Sequence, residues 1–241
     1  MITQTQIAER ISRTRSTLAQ WRFAQLAVFF LLMLFLLPLF RHGLLVKSIT
    51  TLFVLNSLLV ADSSSPNARW LRWAAWALWS IAVVSNVVEE FHPGDALTFA
   101  TKYIAIGSHT VLLTICAVAI LAVVFRAGRV TLDGILASVV AYQLIGLVFA
   151  QIYTLAMLVD PNSLHLPDSV APNTENFRLE MIYFSFVTLA TLGYGDVLPD
   201  TDFTRSVSIV EAILGQFYVA VIVAVLVSAF IAQRMEAQAR R

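Results

Sequence analysis

Thr191-Leu192-Gly193-Tyr194-Gly195-Asp196 is the segment of this chain whose residue types and spacing best support chemistry. Gly193 and Gly195, two positions apart, can take positive φ without the steric cost of a Cβ, so successive carbonyls of an extended strand can point the same way. Thr191 adds a hydroxyl at one end. The strand, from Thr191 through Leu192, Gly193 and Tyr194 to Gly195, thus offers a ladder of backbone oxygens. Four such strands around an axis would enclose a dehydrated monovalent cation. Asp160, His165 and His109 are the residues an enzyme would draw on, but no nucleophile–base pair or metal-ligand spacing joins them, so neither catalysis nor a cofactor is expected. Cys116, the single cysteine, lies in an apolar run and forms no intrachain disulfide.

Composition indicates where such a strand can be held. Of the 241 residues, 59% are hydrophobic and 13% charged, against roughly 45–50% and about 25% in soluble domains. Mean hydropathy is +0.78. Six apolar stretches, Phe23–Phe40, Leu44–Ala61, Trp70–Val88, Tyr103–Phe125, Leu132–Val159 and Val207–Gln233, each suit a helix across the ~30 Å hydrocarbon layer. The expected fold is an all-α membrane protein with no room for a soluble catalytic domain. A net charge of +1 leaves no electrostatic footprint for nucleic acid. The polar lead, residues 1–22, makes a poor cleavable signal. Pro38, Phe40, Arg41 and His42 follow the first apolar run where small residues would stand, so that run is read as a retained span.

Orientation follows from the basic residues. With the N-terminus cytoplasmic, Arg10, Arg13, Arg15, Arg22, Arg69, Arg72, Arg126, Arg129, Arg234, Arg240 and Arg241 fall on that side, leaving Arg41, Lys47, Lys102, Arg178 and Arg205 elsewhere. The positive-inside rule then puts both termini in the cytoplasm and residues 160–206 outside. Within that outer connection, Asp160–Phe177 is polar and carries Pro161, Pro167 and Pro172, as a loop should. Arg178–Ala190 is apolar, free of Gly and Pro, and too short to span. It reads as a re-entrant helix that stops mid-membrane and returns as irregular backbone, which survives there only where it lines a polar path or is covered by protein.

The returning hexapeptide resembles the potassium-channel selectivity filter, written in most members as Thr-Val-Gly-Tyr-Gly-Asp. Thr188-Leu189-Ala190 is similar to the end of that family's pore helix. Pro199 follows, then an apolar helix with Gly215 where the family commonly places a hinge glycine. The similarity runs from Leu132 to Gln233 and is to the prokaryotic-type pore domain. It implies passive conduction of K+ bound at Thr191, Leu192, Gly193 and Tyr194. Leu192 replaces the commoner Val, but the carbonyl is the ligand. Val187 is apolar where some members place a carboxylate, so filter support is assigned to Tyr183, Phe184, Tyr194 and Thr188, with a hydrogen bond to Asp196. Glu211 should pair with a neighbour near the filter. One chain supplies one strand and one pore helix, whose C-terminal end carries about half a negative charge; the function therefore demands a cyclic homotetramer in lipid. Val219, Ile222, Val223, Leu226 and Phe230 recur near helical spacing, as either an inner pore lining or a helix-packing face.

Domain organisation is accordingly a cytoplasmic segment 1–22, a four-helix unit 23–125 in the position of a voltage sensor, a pore unit 131–233 and a cytoplasmic tail 234–241, in a bacterial inner membrane. The fourth span carries no basic residue between Tyr103 and Phe125, so steep voltage gating by that helix is not expected. Lys47 suits snorkelling to the outer face. His109 suits either a pH response or an interhelical hydrogen bond. Trp70, Trp73, Trp76 and Trp79 suit an aromatic belt or packing ridge. A secondary transporter is the rival from another class, but no inverted repeat is visible; a non-conducting sensory subunit is the other alternative.

Overall fold

The computed structural model describes residues 23–35, 51–60, 69–91, 96–126, 131–167 and 175–239. It is an all-α membrane fold. Two apolar helical stretches come first, α1 (Phe23–Phe35) and α2 (Thr51–Val60). They are followed by α3 (Arg69–Phe91), α4 (Ala96–Arg126), α5 (Leu132–Val159), the short α6 (Glu175–Leu189) and the long α7 (Asp202–Ala239). Among the described residues, three windows are long and apolar enough to cross a bilayer: Ala100–Ala122, Asp133–Val159 and Asp202–Ala229. The remainders of the first two expected spans, residues 36–40 and 44–50, and Lys47 with them, lie outside the described residues.

Helix ends follow local hydrogen bonding more closely than hydropathy. α5 starts where Thr131, extended at φ −120° and ψ 157°, accepts the Gly134 N–H at 3.1 Å, with Asp133 complementing the positive helix end. α7 starts at Asp202, five residues ahead of the apolar run. There the Thr204 N–H donates to Thr201 Oγ1 at 3.4 Å while the Thr201 N–H donates to Thr204 Oγ1 at 3.2 Å, a reciprocal cap with threonine in the place usually held by Glu or Gln. α7 also continues past Gln233 to Ala239, and α4 begins at Ala96, ahead of Tyr103. At 1.5 Å per residue α6 extends roughly 22 Å, short of the ~30 Å hydrocarbon layer, whereas α7 extends roughly 57 Å.

α4 lies along α5 of the same chain, and the Tyr103 hydroxyl donates to the Leu158 carbonyl at 2.9 Å, near the start of α4 and the end of α5. Phe30 of α1 meets Phe53 of α2 and Phe186 of α6, each at 5.4 Å between ring centroids, so α1 leans on α6 of its own chain. The close approach of α6 to α5 needs Gly146, because a Cβ there would fall on the Phe186 ring. Between α5 and α7, β1 (Leu164–His165) pairs antiparallel with β2 (Leu198–Pro199), Leu164 opposite Pro199 and His165 opposite Leu198. The Ser163 carbonyl accepts from the Asp200 N–H at 3.0 Å and from Thr204 Oγ1 at 2.7 Å. The first part of the outer loop, expected to be plain exposed connection, is therefore tied to the segment entering α7.

Candidate functional site

α6 ends in a double hydrogen-bonded cap. The Leu192 N–H reaches back to the Val187 carbonyl at 2.8 Å and the Thr191 N–H to the Thr188 carbonyl at 2.9 Å, the 6→1 and 5→2 pair that closes a helix with a left-handed residue. Glycine usually holds that left-handed position. Here it is Thr191, at φ +56°. Gly193 follows at φ +56° and Gly195 at φ +80°, so left-handed residues alternate at 191, 193 and 195. Such alternation lets the intervening carbonyls share one side of an irregular strand, since it cancels the usual reversal from residue to residue. Sequence reasoning placed two of these positions on glycines and missed the third, because a β-branched residue carries no signal for positive φ.

The strand is exposed in the single chain, Leu192 by 58% and Tyr194 by 68%. One copy presents oxygens on one side of an ion and cannot surround it. At the strand's C-terminal end Tyr183 donates from its hydroxyl to Asp196 Oδ2 at 2.6 Å, while Asp196 Oδ1 accepts the Val197 N–H at 3.1 Å. The Tyr183 and Tyr194 rings lie parallel, centroids 6.4 Å apart and planes 3° apart. The Tyr183 hydroxyl holds the Asp196 carboxyl below the usual carboxylate range. At the N-terminal end of the strand Gln216 Nε2 donates to Thr191 Oγ1 at 3.0 Å. The Leu189 carbonyl, at the end of α6, accepts from the Tyr142 hydroxyl at 3.2 Å.

Gly215 is buried, and a Cβ on it would fall on the Leu189 carbonyl oxygen. α7 runs unbroken through this residue, so the glycine has a packing reason: it brings α7 against the end of α6, with Gln216 next to it reaching Thr191. Four residues earlier, Glu211 is fully buried between α5 and α6, accepting from the Tyr153 hydroxyl at 2.7 Å and lying 2.5 Å from Ser185 Oγ. Phe184, expected to support the filter, packs edge-on against Tyr153 at 4.8 Å. Thr188 contributes its backbone carbonyl to the cap.

Lower on α7 the expected pore-lining set divides. Val219 and Val223, each 52% exposed, lie one turn apart on a shared open face. Ile222 is buried and lines an apolar cavity of about 380 Å³ with Thr114, Val118, Val148, Phe149 and Tyr218, on the side toward α4 and α5. The helix period explains the division, since positions three apart drift about 60° on the helix surface. The side chains of Leu226 and Phe230 lie outside the described residues. In the front unit His109 is buried and its Nδ1 is 3.1 Å from the Ala105 carbonyl of its own helix. Trp76 and Trp79 meet edge to face at 6.0 Å. Among the described residues no three His, Cys, Asp or Glu side chains group to hold a metal ion.

The residues that sequence reasoning missed are Gln216, Tyr142, Tyr153, Ser185 and Gly146. Ser185 had the clearest signal: a hydroxyl in an apolar half-span needs a partner, and intramembrane polar groups are functional candidates by default.

Residues 139–232 match the profile of a family described as "Ion channel". A 99-residue stretch is 37% identical to "Protein LctB" of Geobacillus stearothermophilus, covering 39% of this chain and 71% of that protein. No solved structure gives a significant match.

Proposed function

Because this chain belongs to the ion-channel family, we propose that it is the subunit of a potassium-selective channel in which four copies set residues 191–195 around a common axis. The observation that carries this reading is the alternation of left-handed φ at Thr191, Gly193 and Gly195. Repeated fourfold, it gives stacked rings of carbonyl oxygens that replace the hydration shell of K+, with the Thr191 hydroxyls at the inner end. K+ is the cargo. It passes down its electrochemical gradient, with no covalent step and no cofactor.

The surrounding geometry fits that task. Four α6 helices, ending at Leu189 beside the strand, direct their negative ends toward the axis and favour a cation midway through the membrane. Outside, Tyr183 and Asp196 tie the strand to its own pore helix. Inside, the Val219 and Val223 face of α7 lines the path, and an apolar constriction there gates by dewetting. Six spans per chain, both termini in the cytoplasm and residence in a cell membrane complete the proposal.

Reversal potentials of the purified chain in planar bilayers, with K+ on one side and Na+ on the other, test it. A reversal close to the K+ equilibrium potential is expected. A reversal midway between the two ions, or flux at transporter turnover without unitary currents, rejects potassium-channel function.

A further inference from the structure

We propose that Glu211 carries a proton in the folded channel, and that this proton completes a hydrogen-bonded joint between α5, α6 and α7 which positions the pore helix. Three oxygen–oxygen contacts meet at the joint. Ser185 Oγ lies 2.6 Å from the Gly146 carbonyl and 2.5 Å from Glu211 Oε1, and the Tyr153 hydroxyl lies 2.7 Å from Glu211 Oε2. Each is of hydrogen-bond length, so each needs one hydrogen between its oxygens. A backbone carbonyl only accepts, and the Tyr and Ser hydroxyls bring one hydrogen apiece. Tyr153 satisfies Oε2. Ser185 is the only one of the pair that can donate to Gly146. The contact between Ser185 and Oε1 then has its hydrogen only if the carboxyl supplies it.

With an ionised carboxylate, either that contact or the one to Gly146 would set two lone pairs face to face. Nothing at the joint relieves this, because Glu211, Ser185 and Tyr153 are all fully buried. An ionised carboxylate at that depth, held by two neutral hydroxyls, also bears a large desolvation cost that protonation removes. The titratable groups facing it are the phenols of Tyr153 and Tyr142 on α5; α6 presents the Ser185 hydroxyl. The joint is the point where α6 is fixed to both of its long neighbours. It lies one turn of α7 above Gly215, which packs on the Leu189 carbonyl at the start of the strand. Glu211 is thus a positioning residue, acting on the strand through α6; this consequence rests on the proposed function, while the protonation does not.

The test uses the full chain in lipid vesicles at neutral pH. In the infrared difference spectrum of wild type minus Glu211→Gln, a protonated-carboxyl C=O stretch is expected in the wild type. It should move to higher frequency in Tyr153→Phe and Ser185→Ala, each of which removes a hydrogen bond from the carboxyl. Glu211→Ala should lower K+ flux about tenfold or more. Glu211→Gln, whose amide donates to Ser185 and whose carbonyl accepts from Tyr153, should restore most of it. A difference spectrum with only ionised-carboxylate bands, or a Gln variant as impaired as the Ala variant, overturns the proposal. A wild type with the protonated band but no potassium selectivity would instead overturn the proposed function and leave the protonation standing.

Discussion

Thr191 is a β-branched residue held in the left-handed region, a conformation that costs such a side chain about 1–3 kcal/mol. The cap bond to Thr188 and the Gln216 amide on its hydroxyl fix it there. Gly193 needs no such restraint. A Cβ on it would meet nothing within 4 Å, so Gly193→Ala acts through φ alone, at roughly 1–2 kcal/mol per strand in each of four strands. Selective flux should be lost while the assembled particle keeps its size; normal rubidium uptake into liposomes by this variant would contradict the strand's assignment. Tyr183 governs a second prediction. Its hydroxyl depresses the Asp196 pKa, so the charged form and the bond it accepts persist below the ordinary carboxylate range and are lost only as pH falls through the lowered value. Tyr183→Phe removes the largest cause of the depression. The acid limb of the flux-versus-pH curve should then move to higher pH; an unmoved limb would mean that the pair does not control the outer mouth.

Among the elements, α5, α6 and α7 are set by two glycines with different neighbours. Gly146 admits the Phe186 ring and Gly215 admits the Leu189 carbonyl. A hinge and a close approach make different demands on residue 215. If the glycine only lends flexibility, alanine alters opening and leaves the fold intact. If it allows contact with a backbone oxygen that cannot rotate away, alanine must push α7 off α6, an overpacking cost of about 1–3 kcal/mol. Gly215→Ala is therefore expected to lower the thermal denaturation midpoint and to weaken flux together. A variant with wild-type melting and altered open probability would favour the hinge. α7 itself is anchored at its start by Thr201 and Thr204 rather than by apolar content, which keeps its register against β2 and the strand.

At the level of the whole molecule, burial is uneven. The apolar window of α7 is only 18% buried within the chain, against 50% in α4 and 56% in α5. Lipid can cover an apolar helix face without penalty, since hydrocarbon is as apolar as the side chains. Lipid cannot cover the irregular backbone of residues 191–195 in the same way; in the proposed channel, other copies of the chain and the ion itself cover it. A closed ring of four copies is expected, with α7 innermost, and mass measurement of the detergent-solubilised protein should return four chains. A monomer or dimer that still conducts selectively would exclude the arrangement. Helices α1 and α4 rest on α6 and α5 of the same chain through Phe30–Phe186 and Tyr103–Leu158.

Apolar run lengths made the membrane class and a short apolar helix ahead of residue 190 legible, and the Gly-Tyr-Gly spacing did the same for the irregular strand, because these depend on local composition and on the φ freedom of glycine. The stacked tyrosines and the Tyr183–Asp196 bond were within reach of the same reasoning, since each pair is close in sequence on one short helix and the strand that follows it. Glu211 was visible as a carboxylate in need of a partner, but not which partner. Ser185, Tyr153 and Gly146 are far from it in sequence, and only the packing of three helices brings them to one point. The same holds for Gly215 against Leu189, Gln216 against Thr191, the packing of Ile222 toward α4 and α5, and that of Phe184 on Tyr153. Periodicity states which residues share a face of a helix, whereas the rotation of that helix about its own axis is settled by its neighbours.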